Sequence, residues 1–119
     1  MLPAPLPDVH AIALAVYHEA RGEPYQCQLL VASVVTNRME ARNKTAHGVI
    51  AEPGQFKWYG KRKVKDKKSF QQSVVVAKKA LANPDISPYH YFHKGKKGGF
   101  RCGDQVFRLT RNDFPIAHG

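Results

Sequence analysis

Two carboxylates stand close together in the stretch His18-Glu19-Ala20-Arg21-Gly22-Glu23-Pro24. Glu19 closes an apolar segment, and a carboxyl group desolvated by apolar neighbours holds its proton to higher pH. Such a group can serve as a general acid, a role worth about 10²–10⁴ in rate. The same side chain could instead pair with Arg21 or cap a neighbouring helix, and the pattern alone leaves both readings open. On an unbroken helix Glu23 would share a face with Glu19 and could act as a second carboxylate. Gly22 and Pro24 predict a break between the two, which puts Glu23 at the start of the next helix, favoured there by the helix dipole and held by Arg21. His18-Glu19 opens like the zinc-binding pattern H-E-x-x-H, but Gly22 stands where the second histidine belongs. The other histidines are scattered and neither cysteine has a partner at metal-ligand spacing, so no metal site and no cofactor are expected.

A second set of residues could hold a substrate. Gln55, Phe56, Trp58 and Tyr59, with Tyr89, Tyr91, Phe92 and His93, place aromatic faces beside hydrogen-bonding groups. Sugars suit such mixtures, because a pyranose ring has an apolar face and a polar rim. For Phe56 and Phe92 core packing is the competing reading. Trp58, Tyr59 and Tyr91 each need a partner for a polar tip and are expected to line a groove.

The third feature is charge. The 119 residues carry 19 Lys and Arg against 9 Asp and Glu, a formal net charge of +10. The excess is concentrated at Lys57 to Lys68 and at Lys94, Lys96, Lys97 and Arg101. Such runs are commonly solvated surface. This one could also hold the chain on an anionic outer membrane or an acidic wall polymer through screened electrostatics. With aromatics interleaved, single-stranded nucleic acid is a further formal possibility. The aromatic-glycine signatures of RNA-binding domains and a helix-turn-helix are missing, so no nucleic acid is expected.

These residues need a frame. A chain of 119 residues, 43% apolar and 24% charged, suffices for one globular domain with a real core. No apolar run approaches the roughly 18 residues of a spanning helix, and Met1 to Pro7 lacks the basic residues of a secretion signal. Met1 to Pro7, with three prolines, reads as an extended lead-in. Asp8 is a possible N-cap for a helix whose apolar face is Val9, Ile12, Ala13, Val16 and Ala20. Glu19 falls on the shoulder of that face near Ile12, and His18 points the opposite way. Gly22 stops the helix. Pro24 starts a second one, apolar over most of its circumference from Cys27 to Val35, which should be the buried central helix. Gln26, Ser33, Asn37 and Glu40 make its one polar stripe. Thr45 could cap a short helix over Ala46 to Ala51. Gln55 to Gly60 reads as a loop or short strand. Ser69 could cap a helix through Ala82 with Phe70, Val74, Ala77 and Leu81 on one face. Tyr89 to His93 and Gln105 to Leu109 are short strand candidates flanking a Gly- and Lys-rich loop. Helices first and short strands last predict an α+β fold, mainly helical with a small β element. Cys27 and Cys102 could form a bridge, but free thiols are the expectation.

The chain also resembles a known family. Ala15-Val16-Tyr17-His18-Glu19-Ala20-Arg21-Gly22-Glu23 is similar to the E-A-R-G-E signature of the spore-cortex-lytic (SleB-type) cell wall hydrolases. The similarity continues through Val31-Ala32-Ser33-Val34-Val35-Thr36-Asn37-Arg38, then Val49-Ile50 with Gln55-Phe56, then Tyr91-Phe92. The resemblance implies a single lysozyme-like domain, monomeric and without cofactor, that cleaves the glycan strands of peptidoglycan. It implies that Glu19 is the catalytic acid and that Gln55, Phe56 and Tyr91 line the cleft. His93-Lys94 follow the Tyr-Phe pair where the family has other residues, and the basic stretch after Gln55-Phe56 is unusually Lys-rich. The combination resembles a stand-alone phage endolysin, which would stay in the host cytoplasm until a membrane-permeabilising partner released it to the wall.

Ordinary glycosidases flank the scissile bond with two carboxylates. With Glu19 alone well placed, the preferred chemistry is lytic transglycosylation, in which the substrate's own 6-hydroxyl is the nucleophile. Hydrolysis by a Glu19–Glu23 pair is the alternative within this class. A basic binding module without chemistry is the alternative outside it.

Overall fold

A computed structural model describes residues 5–111. The elements are α1 (Asp8–Ala20), α2 (Tyr25–Arg42), α3 (Ala46–Ile50), a 3-10 turn (Lys57–Gly60), α4 (Lys67–Ala82), β1 (Tyr91–Lys94), β2 (Phe100–Cys102) and β3 (Gln105–Arg108). The fold is α+β and mainly helical, as expected. Of the extended lead-in, residues 5–7 are described and form no regular element, while residues 1–4 lie outside the described residues.

The central helix is α1, which corrects the expectation for α2. Every residue from Ala11 to Tyr17 is buried, and α1 packs on α2, α3 and α4. A helix apolar on all sides is stable only inside. The second helix keeps a polar side, and the fold uses it. Ser33 Oγ lies 2.6 Å from Ser87 Oγ, and Asn37 Nδ2 donates to the carbonyls of Ser87 and Tyr89 at 2.8 Å each. Arg38 Nε donates to the His90 carbonyl at 2.6 Å. These bonds lash the chain entering β1 to α2 and satisfy backbone carbonyls that no helix or strand would pair.

Helix ends follow local chemistry, with two corrections. Gly22 has φ +87° and ends α1 as expected. Thr45 caps α3, its side chain accepting from the Gly48 N–H at 3.1 Å. Asp8 is the first residue of α1 and not its cap: its Oδ1 accepts from the Ala46 N–H at 3.0 Å, tying α1 to α3. Asp66 and not Ser69 caps α4, accepting the Ser69 N–H at 3.0 Å and the Ser69 hydroxyl at 2.6 Å. The buried face centres on Ser73, Val76, Ala77 and Ala80, with Phe70 and Val74 at its edge and Leu81 exposed.

The sheet has the order β1-β3-β2, both pairs antiparallel. The expected strands are present, shortened to Tyr91–Lys94 and Gln105–Arg108. The Gly- and Lys-rich loop hides a third strand, β2, which turns into β3 through Gly103 and Asp104. Gly103 has φ +60°, which favours glycine, and a Cβ there would sit 1.7 Å from Glu23 Oε1 and push that carboxylate off the turn. The thiols are not free: Cys27 and Cys102 form a disulfide, with Cα atoms 5.5 Å apart. The bridge fastens the hairpin to the first turns of α2. Sequence spacing carried no sign of it, because the two cysteines are 75 residues apart and meet only through the fold.

Candidate active site

Glu19 stands in the last turn of α1, half-buried, with its carboxylate at the edge of a cleft of about 650 Å³. The cleft lies between the 54–58 loop on one side and β1 with β3 on the other. Glu19 Oε2 accepts a hydrogen bond from Trp58 Nε1 at 3.0 Å. The Glu19 carbonyl accepts from Gln105 Nε2 at 2.9 Å, which fixes the end of α1 against β3. Burial raises the Glu19 carboxyl above its ordinary pKa, and the Trp58 N–H and the Lys94 charge pull the other way without cancelling it. A carboxyl in this state can hand a proton to an oxygen placed in the cleft. Among the described residues no ion pair engages Glu19, and Arg21 is turned to the Tyr17 hydroxyl and ring.

Gln55, Phe56, Trp58, Tyr91 and His93 all line the same cleft. Tyr59 does not. Trp58 and Tyr59 sit on the 3-10 turn, where adjacent side chains diverge by about 120°. Trp58 points to Glu19, and the Tyr59 hydroxyl meets His47 Nε2 at 2.8 Å. The Leu6 N–H donates to His47 Nδ1 at 2.7 Å, so Nε2 carries the ring proton and donates to Tyr59. Phe56 is both core and wall: it is buried, and its ring packs 6.2 Å from Phe92. Phe92 in turn packs 5.7 Å from Phe107.

His18 does not turn away from the site. Its ring stacks on Trp58 at 4.8 Å and 17° between planes, backing the indole that holds Glu19. Burial and the nearby Arg21 charge lower the His18 pKa, which favours a neutral ring against the indole face. Glu23 is not held by Arg21. Its Oε1 accepts the Asp104 N–H at 3.1 Å, so it braces the β2–β3 turn. It lines a smaller pocket of about 230 Å³ that also touches Glu19 and Lys94.

Several cleft residues escaped the sequence reading. Arg38 is buried with its guanidinium 4.4 Å from the Tyr91 ring centre and 3.9 Å from Glu52 Oε1. Burial and the Arg42 charge lower its pKa to about 10, against the pull of Glu52. Burial would raise the Glu52 carboxyl, but hydrogen bonds from Arg42 and Lys44 outweigh it and hold it below its ordinary value. This cluster anchors the loop that carries Gln55 to the end of α2. Arg42 Nη2 also donates to the Tyr91 hydroxyl at 2.8 Å, setting that ring. Arg108 Nη1 lies 3.2 Å from His93 Nε2. Arginine only donates, so Nε2 accepts and Nδ1 carries the proton toward the Lys94 carbonyl at 2.9 Å. An arginine in an apolar strand is the one signal that could have drawn attention to Arg108. Glu19 is the sole carboxylate among the described residues lining the cleft, amid Arg38, Lys57, Lys94, Arg108 and Arg111.

Comparison with known proteins places the chain in a family. The spore cortex-lytic enzyme of Bacillus subtilis (strain 168) is 35% identical over 95 residues, covering 72% of this chain and 29% of that protein. The spore cortex-lytic enzyme of Oceanobacillus iheyensis is 49% identical over 51 residues, covering 41% of this chain and 18% of that protein. That of Bacillus cereus is 47% identical over 51 residues, covering 41% and 20%. The chain thus spans less than a third of the length of these relatives. No solved structure matches it. The family model described as cell wall hydrolase matches residues 22–111, a stretch that begins just past Glu19. That stretch takes in most of the chain, and the chain belongs to the cell wall hydrolase family.

Proposed function

We propose that this protein cleaves the bond between N-acetylmuramic acid and N-acetylglucosamine in peptidoglycan as a lytic transglycosylase, with Glu19 as both acid and base. The observation that carries the reading is a half-buried carboxyl with a raised pKa, alone among cations at the edge of an aromatic and amide-lined cleft. Glu19 donates its proton to the bridging oxygen, and the bond from that oxygen to the muramic C1 breaks. The carboxylate then takes the proton of the muramic 6-hydroxyl, whose oxygen bonds to C1 and closes a 1,6-anhydro ring. Glu19 ends protonated, and no water is consumed. Trp58 holds Oε2, which leaves Oε1 to face the substrate. Trp58 and Tyr91 offer faces to the sugar rings and Gln55 offers its amide to their rims, while His93, engaged at both ring nitrogens by Arg108 and the Lys94 carbonyl, shapes the wall.

Glu19→Gln tests this directly. The amide keeps the shape and can still accept from Trp58, so the fold should persist while glycan cleavage falls by about 10³-fold or more. Undiminished cleavage by the folded variant would contradict the assignment, and would leave a basic binding module as the better reading. A second reading, hydrolysis by a muramidase, is favoured by the pocket that Glu19 and Glu23 share. Glu23→Gln separates the two: a transglycosylase tolerates it within a few-fold, and a two-carboxylate hydrolase does not.

The Cys27–Cys102 bridge supports action in an oxidising space outside the cytoplasmic membrane, where such bonds persist. We infer a lytic role against the bacterial wall, with release from the cytoplasm supplied by another agent if the enzyme is made there.

A further inference from the structure

The basic run is not a loose surface feature. Residues 61–66 form no regular element, yet they are pinned along the end of α1. The buried Tyr17 hydroxyl accepts the Lys65 N–H at 3.1 Å and the Asp66 N–H at 2.9 Å. Between this segment and α1 lies a second concavity of about 630 Å³, walled by Tyr17, Arg21, Lys61, Arg62, Lys63 and Lys65, with His18 at its edge. Among the described residues no carboxylate lines it. The adjoining acid, Asp66, is spent on the cap of α4. Arg62, one of these walls, is set over the Tyr59 ring at 4.9 Å. The concavity shares Tyr17, His18 and Arg21 with the 230 Å³ pocket, which in turn shares Glu19, Lys94 and Gln105 with the cleft. A polymer lying in the second concavity would therefore run beside the one being cut.

Methylene stems and five cations together suit an occupant that alternates sugar or polyol units with phosphate. We propose that this concavity is an accessory docking site for the phosphodiester glycopolymers attached to peptidoglycan, holding the enzyme on the wall between cleavages. The proposal rests on the wall-lytic reading, because it presumes that the polymer stands next to the substrate. It uses charge in the way physics favours: several exposed cations raise local concentration and association rate, and salt removes the effect.

The test uses Glu19→Gln protein, so that binding is read without digestion. Sedimentation with intact walls is compared with the same walls stripped of phosphodiesters by hydrofluoric acid. Binding to intact walls should be about tenfold tighter, the order expected from three exposed ion pairs, and should weaken with salt. Lys61→Glu/Lys63→Glu/Lys65→Glu should lose that advantage and bind stripped walls as before. In a Glu19-containing background the triple variant should cleave soluble glycan strands like wild type, which separates this proposal from the assignment of Glu19. If the triple variant unfolds, Lys63→Glu alone should show the same change with a smaller salt dependence. Equal binding to intact and stripped walls overturns the proposal. So does unchanged binding by the variants, or equal affinity for duplex DNA or lipopolysaccharide vesicles, which would make the surface a non-selective anion face.

Discussion

At the scale of residues, the site is a problem of holding one proton. Burial pushes the Glu19 carboxyl up, and the Trp58 N–H opposes it by stabilising the carboxylate. The sign of a substitution follows. Trp58→Phe removes a bond that favours the charged form, so the Glu19 pKa rises further. The limb of the rate profile on which activity falls with rising pH should then move to higher pH. Lost positioning should lower turnover by about ten- to a hundredfold. A pH profile of kcat/KM checks this, and an alkaline limb that stays put or moves down would contradict it. The carboxylate was legible in the sequence only as a candidate, beside an Arg21 pair or a helix cap, and the structure turns Arg21 to Tyr17 instead. Its partners were less so. His18 reads as outward on a helical wheel, and a wheel cannot show that Trp58, on a distant turn, comes to lie on it. Tyr59 was misread for the opposite reason: its neighbour Trp58 does line the cleft, and a three-residue turn sends the two apart.

At the scale of elements, the site depends on the small sheet being pressed against α1 and α2. Glu23 receives the Asp104 N–H, Gln105 reaches the Glu19 carbonyl, and the Cys27–Cys102 bridge fastens the strand beside them. A bridge closing a loop of this length is worth about 2–5 kcal/mol in a chain-entropy treatment. Cys27→Ser/Cys102→Ser should therefore lower the unfolding free energy by that amount and bring the urea midpoint down with it, with a somewhat steeper slope as the freed chain exposes more surface. Cleavage by the reduced or substituted protein should fall as well, because the hairpin positions one wall of the cleft. An unchanged midpoint would mean that the hairpin is held by its other contacts alone. Helices α1 to α4 were legible from periodicity and punctuation, within a few residues at each end. The strand Phe100–Cys102 was not, because three residues among glycines and lysines carry no period. It exists because β3 is there to pair with it. The exchange of α1 for α2 as the central helix has a similar cause: the stripe through Ser33 and Asn37 looks like a modest polar edge until Ser87 and Tyr89 dock on it.

At the scale of the molecule, the formal charge of +10 and the clefts belong to one arrangement. Cations line the cleft and its neighbouring concavity, and Glu52 is held by Arg42 and Lys44. Composition allowed an anionic partner and the family signature pointed to peptidoglycan, but neither could place the cleft and the concavity side by side. That took the pinning of residues 61–66 by Tyr17, a contact between positions 48 and 49 apart in sequence. The central claim is that one carboxyl group cuts the glycan without water. Mass spectrometry of peptidoglycan digested in ¹⁸O-labelled water tests it most directly. The account predicts products ending in 1,6-anhydro-muramic acid, lighter than hydrolysis products by one water and free of the label. Reducing ends carrying the label would contradict it, and would return the second role to Glu23 or to a water that it orients.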